Sequence, residues 1–223
     1  MAGFRDGPEG ETGDAGATAA AALPAGLHHL PGGLGPAAQA ALMREIEAIW
    51  AAAPPVRFIT RWGRPLSVAM SAAGALGWVS DRGGYRYAST QPDGRPWPAI
   101  PASLLALWAA VVPQAPPPDS LLVNLYRDRA RMGLHQDRDE ADLGQPVVSV
   151  SLGDEALFRI GGTERGGRTR SLWLRSGDVL VLEGPSRLAF HGIDRIRPGS
   201  SDLVPGGGRV NLTLRVAGPP PPP

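Results

Sequence analysis

The second half of the chain alternates short apolar runs with turn residues, and this pattern constrains the fold more than any other feature. Seven runs are rich in the β-branched and aromatic residues typical of strands, and Gly, Asp or Pro separates them. They are residues 120–126, 147–153, 156–160, 171–175, 178–183, 187–193 and 209–215. Since no helices are expected between them, as a parallel sheet would require, we expect an antiparallel sandwich or barrel.

Two segments ahead of these runs show the periodicity of amphipathic helices. The first begins at Gly35-Pro36, with proline at the first helical position that it favours, and stops before Pro54. In the second, Ser103 is expected to cap the amino end and Pro113 to end the helix. Both are expected to pack against the strands and to carry no chemistry. Their apolar faces are Leu42, Ile46, Ile49 and Trp50 in the first helix and Leu104, Leu107, Trp108 and Val111 in the second.

The two ends of the chain lack apolar periodicity. Residues 1–33, which include His28 and His29, are rich in Gly, Ala and Pro and are expected to form a mobile tail. Residues 219–223 are a proline tail, and residues 34–218 are expected to fold as one domain. The chain has neither an apolar run of membrane-spanning length nor a signal-peptide pattern, so we expect a cytoplasmic protein with no membrane contact.

Composition excludes some classes of function. The chain has no cysteine, which rules out thiolate metal sites, iron–sulfur clusters and a cysteine nucleophile, so any metal must be held by nitrogen and oxygen ligands. The net charge of +1 does not indicate a nucleic-acid-binding protein by itself. All 22 basic residues are arginines, which reflects either a GC-rich genome or a use of guanidinium groups for carboxylate and phosphate recognition.

His135 and Asp137 are the first candidates for a metal site. Residues i and i+2 of an extended segment point to the same side, so an imidazole and a carboxylate can converge on one point. An isolated His-x-Asp pair is more often a polar turn. However, His191 lies on a later run of the same barrel, and two histidines with one carboxylate form the facial triad of non-haem Fe(II) oxygenases.

The last run, RVNLTLR, supplies a second and independent argument. Arg209, Asn211, Thr213 and Arg215 share one side, and the residues between them are apolar. If the helices cover the apolar side, the arginines point into the barrel, where a dicarboxylate would neutralise them. The alternative is a solvent-exposed face with ion-paired arginines. In the run 120–126, Asn124 and Tyr126 have the same spacing and could bind the same ligand, or Tyr126 could be an ordinary strand aromatic.

The order of these motifs resembles the AlkB family of 2-oxoglutarate- and Fe(II)-dependent dioxygenases, the bacterial DNA alkylation-repair proteins above all. The resemblance covers about residues 55–217, and two upstream segments also match. The matching motifs are N-x-Y, HQDRDE, VVSVSLG, SRLAFHGI, RVNLTLR, LSVAMSAAGALGWVSDRGGYRY and RPWPAIP.

This resemblance implies a mainly β (α+β) fold, a double-stranded β-helix or jelly roll with flanking helices. A nucleotide-recognition lid would occupy about residues 56–100 and the β-helix core residues 120–217. The implied cofactor is Fe(II), with 2-oxoglutarate and O₂ as cosubstrates. The implied roles are metal ligation by His135, Asp137 and His191, 2-oxoglutarate binding by Asn124, Leu125, Tyr126, Arg209, Asn211 and Arg215, and substrate contact by Trp78, Tyr85, Tyr87, Asp139 and Arg165.

The implied activity is oxidative dealkylation of 1-methyladenine and 3-methylcytosine in single-stranded DNA or RNA, by a monomer without an obligate protein partner. Trp78 would stack the base against His135, although core packing is the simpler interpretation of a lone tryptophan. The chain departs from the family at RWGR (residues 61–64) and at Leu125, where arginine is usual. Two alternatives stay open: an oxygenase of the same fold acting on a small molecule or protein, and a base-binding module without turnover.

Overall fold

A computed structural model describes residues 23–218, which contain two α-helices and twelve strands. The helices are α1 (Pro36–Ala52) and α2 (Ala102–Val111), and neither is long and apolar enough to cross a membrane. The strands are β1 (Leu27–Leu30), β2 (Ala69–Gly74), β3 (Gly77–Asp81), β4 (Gly84–Ala88), β5 (Ser120–Tyr126), β6 (Met132–His135), β7 (Val147–Gly153), β8 (Glu155–Ile160), β9 (Arg170–Leu174), β10 (Val179–Leu182), β11 (His191–Arg197) and β12 (Arg209–Arg215).

The strands form a six-stranded sheet, a four-stranded sheet and a separate hairpin. The larger sheet has the order β1-β10-β7-β12-β5-β2, the smaller β6-β11-β8-β9, and the hairpin is β3-β4. Every pairing between neighbours is antiparallel. Consecutive strands often lie in different sheets, which is how a jelly roll is connected. The predicted mainly β fold with a double-stranded β-helix is therefore confirmed.

Strand β12 lies inside the larger sheet and is buried on both of its faces. Val210, Leu212 and Leu214 belong to an outer core cluster, which also contains Ile46 of α1 and Trp108 of α2. The helices thus cover the apolar face of the sheet, which decides between the two alternatives that the sequence leaves open for this strand. Since side chains alternate along a strand, the polar residues of β12 must face the space between the two sheets.

The predicted tail is wrong for residues 27–33. Strand β1 pairs with β10, and its histidines bind side chains there: His28 Nε2 lies 2.9 Å from Glu183 Oε1 and His29 Nε2 lies 2.9 Å from Asp178 Oδ2. Asp178 also accepts a hydrogen bond from the Gly32 nitrogen. A sheet edge supplies partners that the local sequence does not reveal. Residues 1–22 of the predicted tail, and the whole proline tail, lie outside the described residues.

Two predicted boundaries and the extent of the lid also differ. The run 187–193 is not one strand: a 3₁₀ turn over Gly184–Ser186 leads into it, and β11 starts at His191. Ser103 does not cap helix α2 as predicted. Pro101 occupies the N-cap position without a side-chain hydrogen bond, and the Ser103 hydroxyl donates to Glu45 of α1. Within the predicted lid, β2 is an edge strand of the larger sheet, so it is part of the core.

Candidate active site

An open cavity of about 650 Å³ lies between the two sheets. Strands β5, β7, β10 and β12 line it from the larger sheet, and β6, β8 and β11 from the smaller one. The β3–β4 hairpin also contributes to the wall. Of the fourteen residues proposed from the sequence for metal, 2-oxoglutarate or substrate, thirteen line this cavity, and Leu125 does not. Leu125 packs instead against the outer core cluster.

The three predicted metal ligands converge at the junction of β6 and β11. His135 is the last residue of β6, His191 is the first of β11, and the two are paired across the strands. Asp137 Oδ1 lies 3.6 Å from His135 Nε2, and Asp137 Oδ2 lies 3.8 Å from His191 Nε2. One ligand atom from each residue lies within 4.8 Å of the others, which suits coordination of a single ion.

Hydrogen bonds orient both imidazoles toward that point. His135 Nδ1 lies 2.9 Å from the Gly133 carbonyl oxygen, and His191 Nδ1 lies 2.9 Å from that of Ala189. When Nδ1 carries the proton and donates to these carbonyls, the lone pair of Nε2 is free for a metal. Two backbone carbonyls therefore select the tautomer that the site needs.

The protonation states also favour metal binding. Burial and the neighbouring His135 lower the pKa of His191 to about 4, so this imidazole is neutral near pH 7. Burial opposes ionisation of Asp137, but the Arg215 guanidinium, with Nη2 at 2.7 Å from Oδ2, and the two imidazoles outweigh it and hold the pKa of Asp137 well below its usual value. His191 and Asp137 are thus in the deprotonated forms that a cation requires.

Arg209 is a buried cation with hydrogen-bonding capacity to spare. It is 1% exposed, and its Nη2 donates a hydrogen bond to Ser151 Oγ at 2.9 Å. Nε and Nη1 have no acceptor among residues 23–218. Leaving buried donors unpaired is costly, so they indicate an acceptor that the polypeptide does not supply. A carboxylate from a bound ligand could accept from either of these donors, in a charge-assisted hydrogen bond.

Neighbouring side chains on β5 and β12 continue this polar wall. Asn124 Nδ2 donates to Asn211 Oδ1 at 3.3 Å, while the Oδ1 atom of Asn124 has no donor among the described residues. The Tyr126 ring lies under the Arg209 guanidinium, 5.3 Å from ring centroid to Cζ. At the other end of β12, Nη1 of Arg215 also lacks an acceptor within the described range. The wall therefore offers unpaired groups at both ends to an elongated anion.

The β3–β4 hairpin adds an aromatic wall. The rings of Trp78 and Tyr85 are stacked with centroids 5.3 Å apart, and Phe58 meets Trp78 edge-on at 6.1 Å. Trp78 Nε1 donates to Asp139 Oδ2 at 2.9 Å. Trp78 does pack against a second core cluster, which contains Phe58 and Leu122, as the simpler interpretation expects. It also lines the cavity together with the metal triad. Tyr87 and Arg165 line the same cavity.

Comparisons with known proteins agree with this geometry. Residues 26–215 match the family model of the 2OG-Fe(II) oxygenase superfamily. The chain is 61% identical over 188 residues to the alpha-ketoglutarate-dependent dioxygenase AlkB homolog of Caulobacter vibrioides NA1000, covering 84% of this chain and 86% of that protein. It is 42% identical over 182 residues to the alpha-ketoglutarate-dependent dioxygenase AlkB of Escherichia coli K12, covering 79% and 84%.

This chain belongs to the AlkB family. It is a 2-oxoglutarate-dependent dioxygenase that uses Fe(II) and O₂. Its fold agrees with the solved structure of OsALKBH1, with a TM-score of 0.76 and 32% identity over 87% of this chain and 98% of that one. The residues present fit Fe(II) and 2-oxoglutarate, because the triad offers two imidazoles and a carboxylate at one point, and Arg209 offers donors that are unpaired among the described residues to a carboxylate.

Two residues of this AlkB-family site, Glu140 and Arg187, were missed by the sequence reasoning. Arg187 is 3% exposed and donates to the carbonyl oxygens of Asp137, at 2.7 Å, and of Gln145. Its Nη2 forms an ion pair with Glu140 Oε2 at 3.2 Å, although the pair lacks the alignment of a hydrogen bond. Glu140 also contacts Arg215 Nε at 3.1 Å and accepts from the Tyr87 hydroxyl at 2.9 Å.

The sequence did carry a signal for these two residues. Glu140 ends the HQDRDE motif, and Arg187 precedes His191 in SRLAFHGI. An arginine and a glutamate next to metal ligands are candidates for a buried pair, because charged side chains are almost never fully buried alone. A continuous strand over residues 187–193 does not predict that the Arg187 side chain points inward, so Arg187 was not assigned to the site.

Proposed function

We propose that this dioxygenase removes N-methyl groups from nucleobases, 1-methyladenine and 3-methylcytosine, in single-stranded DNA and in RNA. The overall reaction consumes O₂ and 2-oxoglutarate and releases formaldehyde, succinate and CO₂ together with the unmodified base. Direct repair of alkylated nucleic acid would be its physiological result. The resemblance to the AlkB family gives the substrate class, and the shape and charge of the cavity support it.

One observation carries the proposal: Trp78 and Asp139 are hydrogen-bonded to each other and line the same cavity as the metal triad. A base must leave its stack to reach an enclosed metal centre, and a flat aromatic surface stabilises it there. 1-Methyladenine and 3-methylcytosine are cations, which favour both the face of a tryptophan and a nearby carboxylate. A neutral ligand would gain no charge attraction from the carboxylate, and an anionic ligand would be repelled by it.

The polar wall on β5 and β12 and the aromatic wall on the β3–β4 hairpin would bind different molecules. Arg209, with its two unpaired nitrogens, would bind the remote carboxylate of 2-oxoglutarate, and Asn124 and Tyr126 would orient the molecule. His135, Asp137 and His191 would hold the iron, which supplies the oxidising chemistry when bound. Trp78 and Tyr85 would hold the base, and Asp139 would offset its positive charge.

Hydroxylation of the N-methyl carbon gives a hydroxymethyl adduct, which releases formaldehyde when its C–N bond breaks. The protein's own part in this reaction is to place the methyl carbon near the metal and to exclude water from the cavity. Arg215 contributes by holding Asp137 ionised and in place, through the 2.7 Å hydrogen bond between Nη2 and Oδ2.

The test is a single incubation with two readouts. Protein loaded with Fe(II) without oxygen is given 2-oxoglutarate, air and an oligonucleotide that contains 1-methyladenine, and formaldehyde and succinate are measured. Formaldehyde in step with succinate is expected. Succinate that does not depend on the oligonucleotide would favour an oxygenase for another substrate, and neither product would favour a base-binding module.

A variant separates base binding from cosubstrate binding. Trp78→Leu should lower formaldehyde release from the oligonucleotide, while the affinity of the Fe(II)-loaded protein for 2-oxoglutarate, measured without oxygen, should stay the same. Loss of both in a folded Trp78→Leu protein would contradict the assignment of Trp78 to the base.

A further inference from the structure

The most exposed large hydrophobic side chain among residues 23–218 is Trp62, at 70% exposure. It lies at the tip of a hairpin formed by residues 57–66, called here the Trp62 hairpin. The Thr60 nitrogen donates to the Arg64 carbonyl and the Gly63 nitrogen to the Thr60 carbonyl, each at 2.8 Å. Gly63 has a φ of 76°, a left-handed conformation that favours glycine in such a turn. The indole is therefore displayed by an ordered turn.

The end of the Trp62 hairpin opposite its tip is part of the cavity wall. The Leu66 nitrogen donates to the Phe58 carbonyl at 2.8 Å, and Leu66 lines the cavity. Phe58 packs edge-on against Trp78, 6.1 Å between centroids. Leu66 lies four positions after Trp62, which limits the distance between their Cα atoms to about 14 Å. The tip therefore stands within a few nucleotides of any base held at Trp78.

The tip carries positive charge that no acidic side chain among residues 23–218 neutralises. The Arg61 guanidinium lies 4.4 Å from the centre of the Trp62 ring, and Arg64 lines a shallow depression with Trp62. No Asp or Glu occurs between residues 53 and 80, and neither Arg61 nor Arg64 forms a salt bridge with a described residue. An exposed aromatic ring flanked by unpaired arginines is suited to a base and its adjacent phosphates.

We propose that the Trp62 hairpin binds the single strand outside the cavity: Trp62 stacks on an unpaired base that flanks the base at Trp78, and Arg61 and Arg64 bind neighbouring phosphates. This inference rests on the proposed function, because it takes the substrate to be a polymer. The segment RWGR is also where the chain departs from the family pattern, so the resemblance does not assign this role.

A kinetic comparison between a short and a long substrate tests the proposal. Trp62→Ala should lower kcat/KM for a methylated single-stranded oligonucleotide by about 5- to 150-fold, the range for loss of one stacked base. It should leave kcat/KM for the methylated mononucleotide unchanged, because that substrate ends before the tip. Trp62→Phe keeps a ring and should retain most of the oligonucleotide activity.

Trp173 provides a matched control. It is also a tryptophan under an arginine, with Arg197 Cζ 4.4 Å from its ring centre, but it lies on β9 and does not line the cavity. Trp173→Ala should not change the ratio of the two kcat/KM values. Equal losses for both substrates in Trp62→Ala, or no loss for either, would overturn the proposal, as would a Trp173→Ala effect of the same size.

A binding measurement without iron or turnover separates this proposal from the proposed function. Fluorescence anisotropy of a labelled, unmethylated single strand should show weaker binding to Trp62→Ala than to the wild type. In Arg61→Gln/Arg64→Gln, the slope of log affinity against log salt should be shallower by about 0.7 for each phosphate that the variant no longer binds. Unchanged affinity and slope would overturn the proposal even if the enzyme demethylates the base, as would weaker binding seen with duplex DNA only.

Discussion

Arg187 connects the segment that leads into His191 to the main chain of Asp137, and replacing it with methionine should destabilise the protein strongly. Methionine fills similar space but cannot donate. The substitution removes the hydrogen bonds to the Asp137 and Gln145 carbonyls and leaves Glu140 with one fewer cation. The side chains of Arg187 and Glu140 are 3% and 2% exposed, so water cannot replace the missing partner.

The magnitude follows from that burial. Breaking a buried ion pair from one side costs about 3–5 kcal/mol, and each unpaired buried carbonyl adds to the loss. Glu140 keeps Tyr87 and Arg215 as partners, which limits the cost. We expect the free energy of unfolding to fall by about 4 kcal/mol, which lowers Tm by about 8–16 °C for a domain of this size. Iron affinity should fall about 10- to 100-fold, since the Asp137 main chain loses its anchor.

The assay is urea unfolding of the iron-free protein, followed by titration with Fe(II) in the absence of oxygen. Arg175→Met is the matched control, because Arg175 forms a 3.5 Å pair with Glu155 but its side chain is 78% exposed. That variant should lose less than about 1 kcal/mol and keep its iron affinity. An Arg187→Met loss below about 1 kcal/mol, or equal to the control, would refute the reasoning.

Three further predictions concern the metal and cosubstrate sites. His191→Ala leaves two protein ligands and should abolish stoichiometric iron binding, measured by metal analysis after gel filtration; an unchanged iron content would remove His191 from the triad. Arg209→Ala should raise the KM for 2-oxoglutarate far more than the KM for the oligonucleotide. A parallel rise in both KM values would contradict the assignment of 2-oxoglutarate and the base to different walls of the cavity. Gly192→Ala should weaken iron binding, because a Cβ there would lie 2.5 Å from the Met132 carbonyl oxygen and push β6, which carries His135, away from β11. Iron titration checks this, and an affinity equal to that of the wild type would mean that the strands adjust without moving His135.

The sequence by itself determined which residues of the last strand share a face. Side chains alternate in β12, so once helices cover Val210, Leu212 and Leu214, the two arginines at positions 209 and 215 must face the cavity. The spacing of His135 and Asp137 likewise places both on one side of the chain. These predictions succeeded because they depend on a local period of two residues, which holds wherever the strand is placed.

The tertiary structure decided what depends on distant partners. Residues 27–30 gain their strand only from the edge of β10, and the two imidazoles meet only because β6 and β11 pair with His135 opposite His191. The inward turn of Arg187 depends on carbonyls about 40 to 50 residues away along the chain. Local sequence patterns fix which side of a strand a residue occupies, whereas register and buried charge pairs depend on segments that meet only in the folded state.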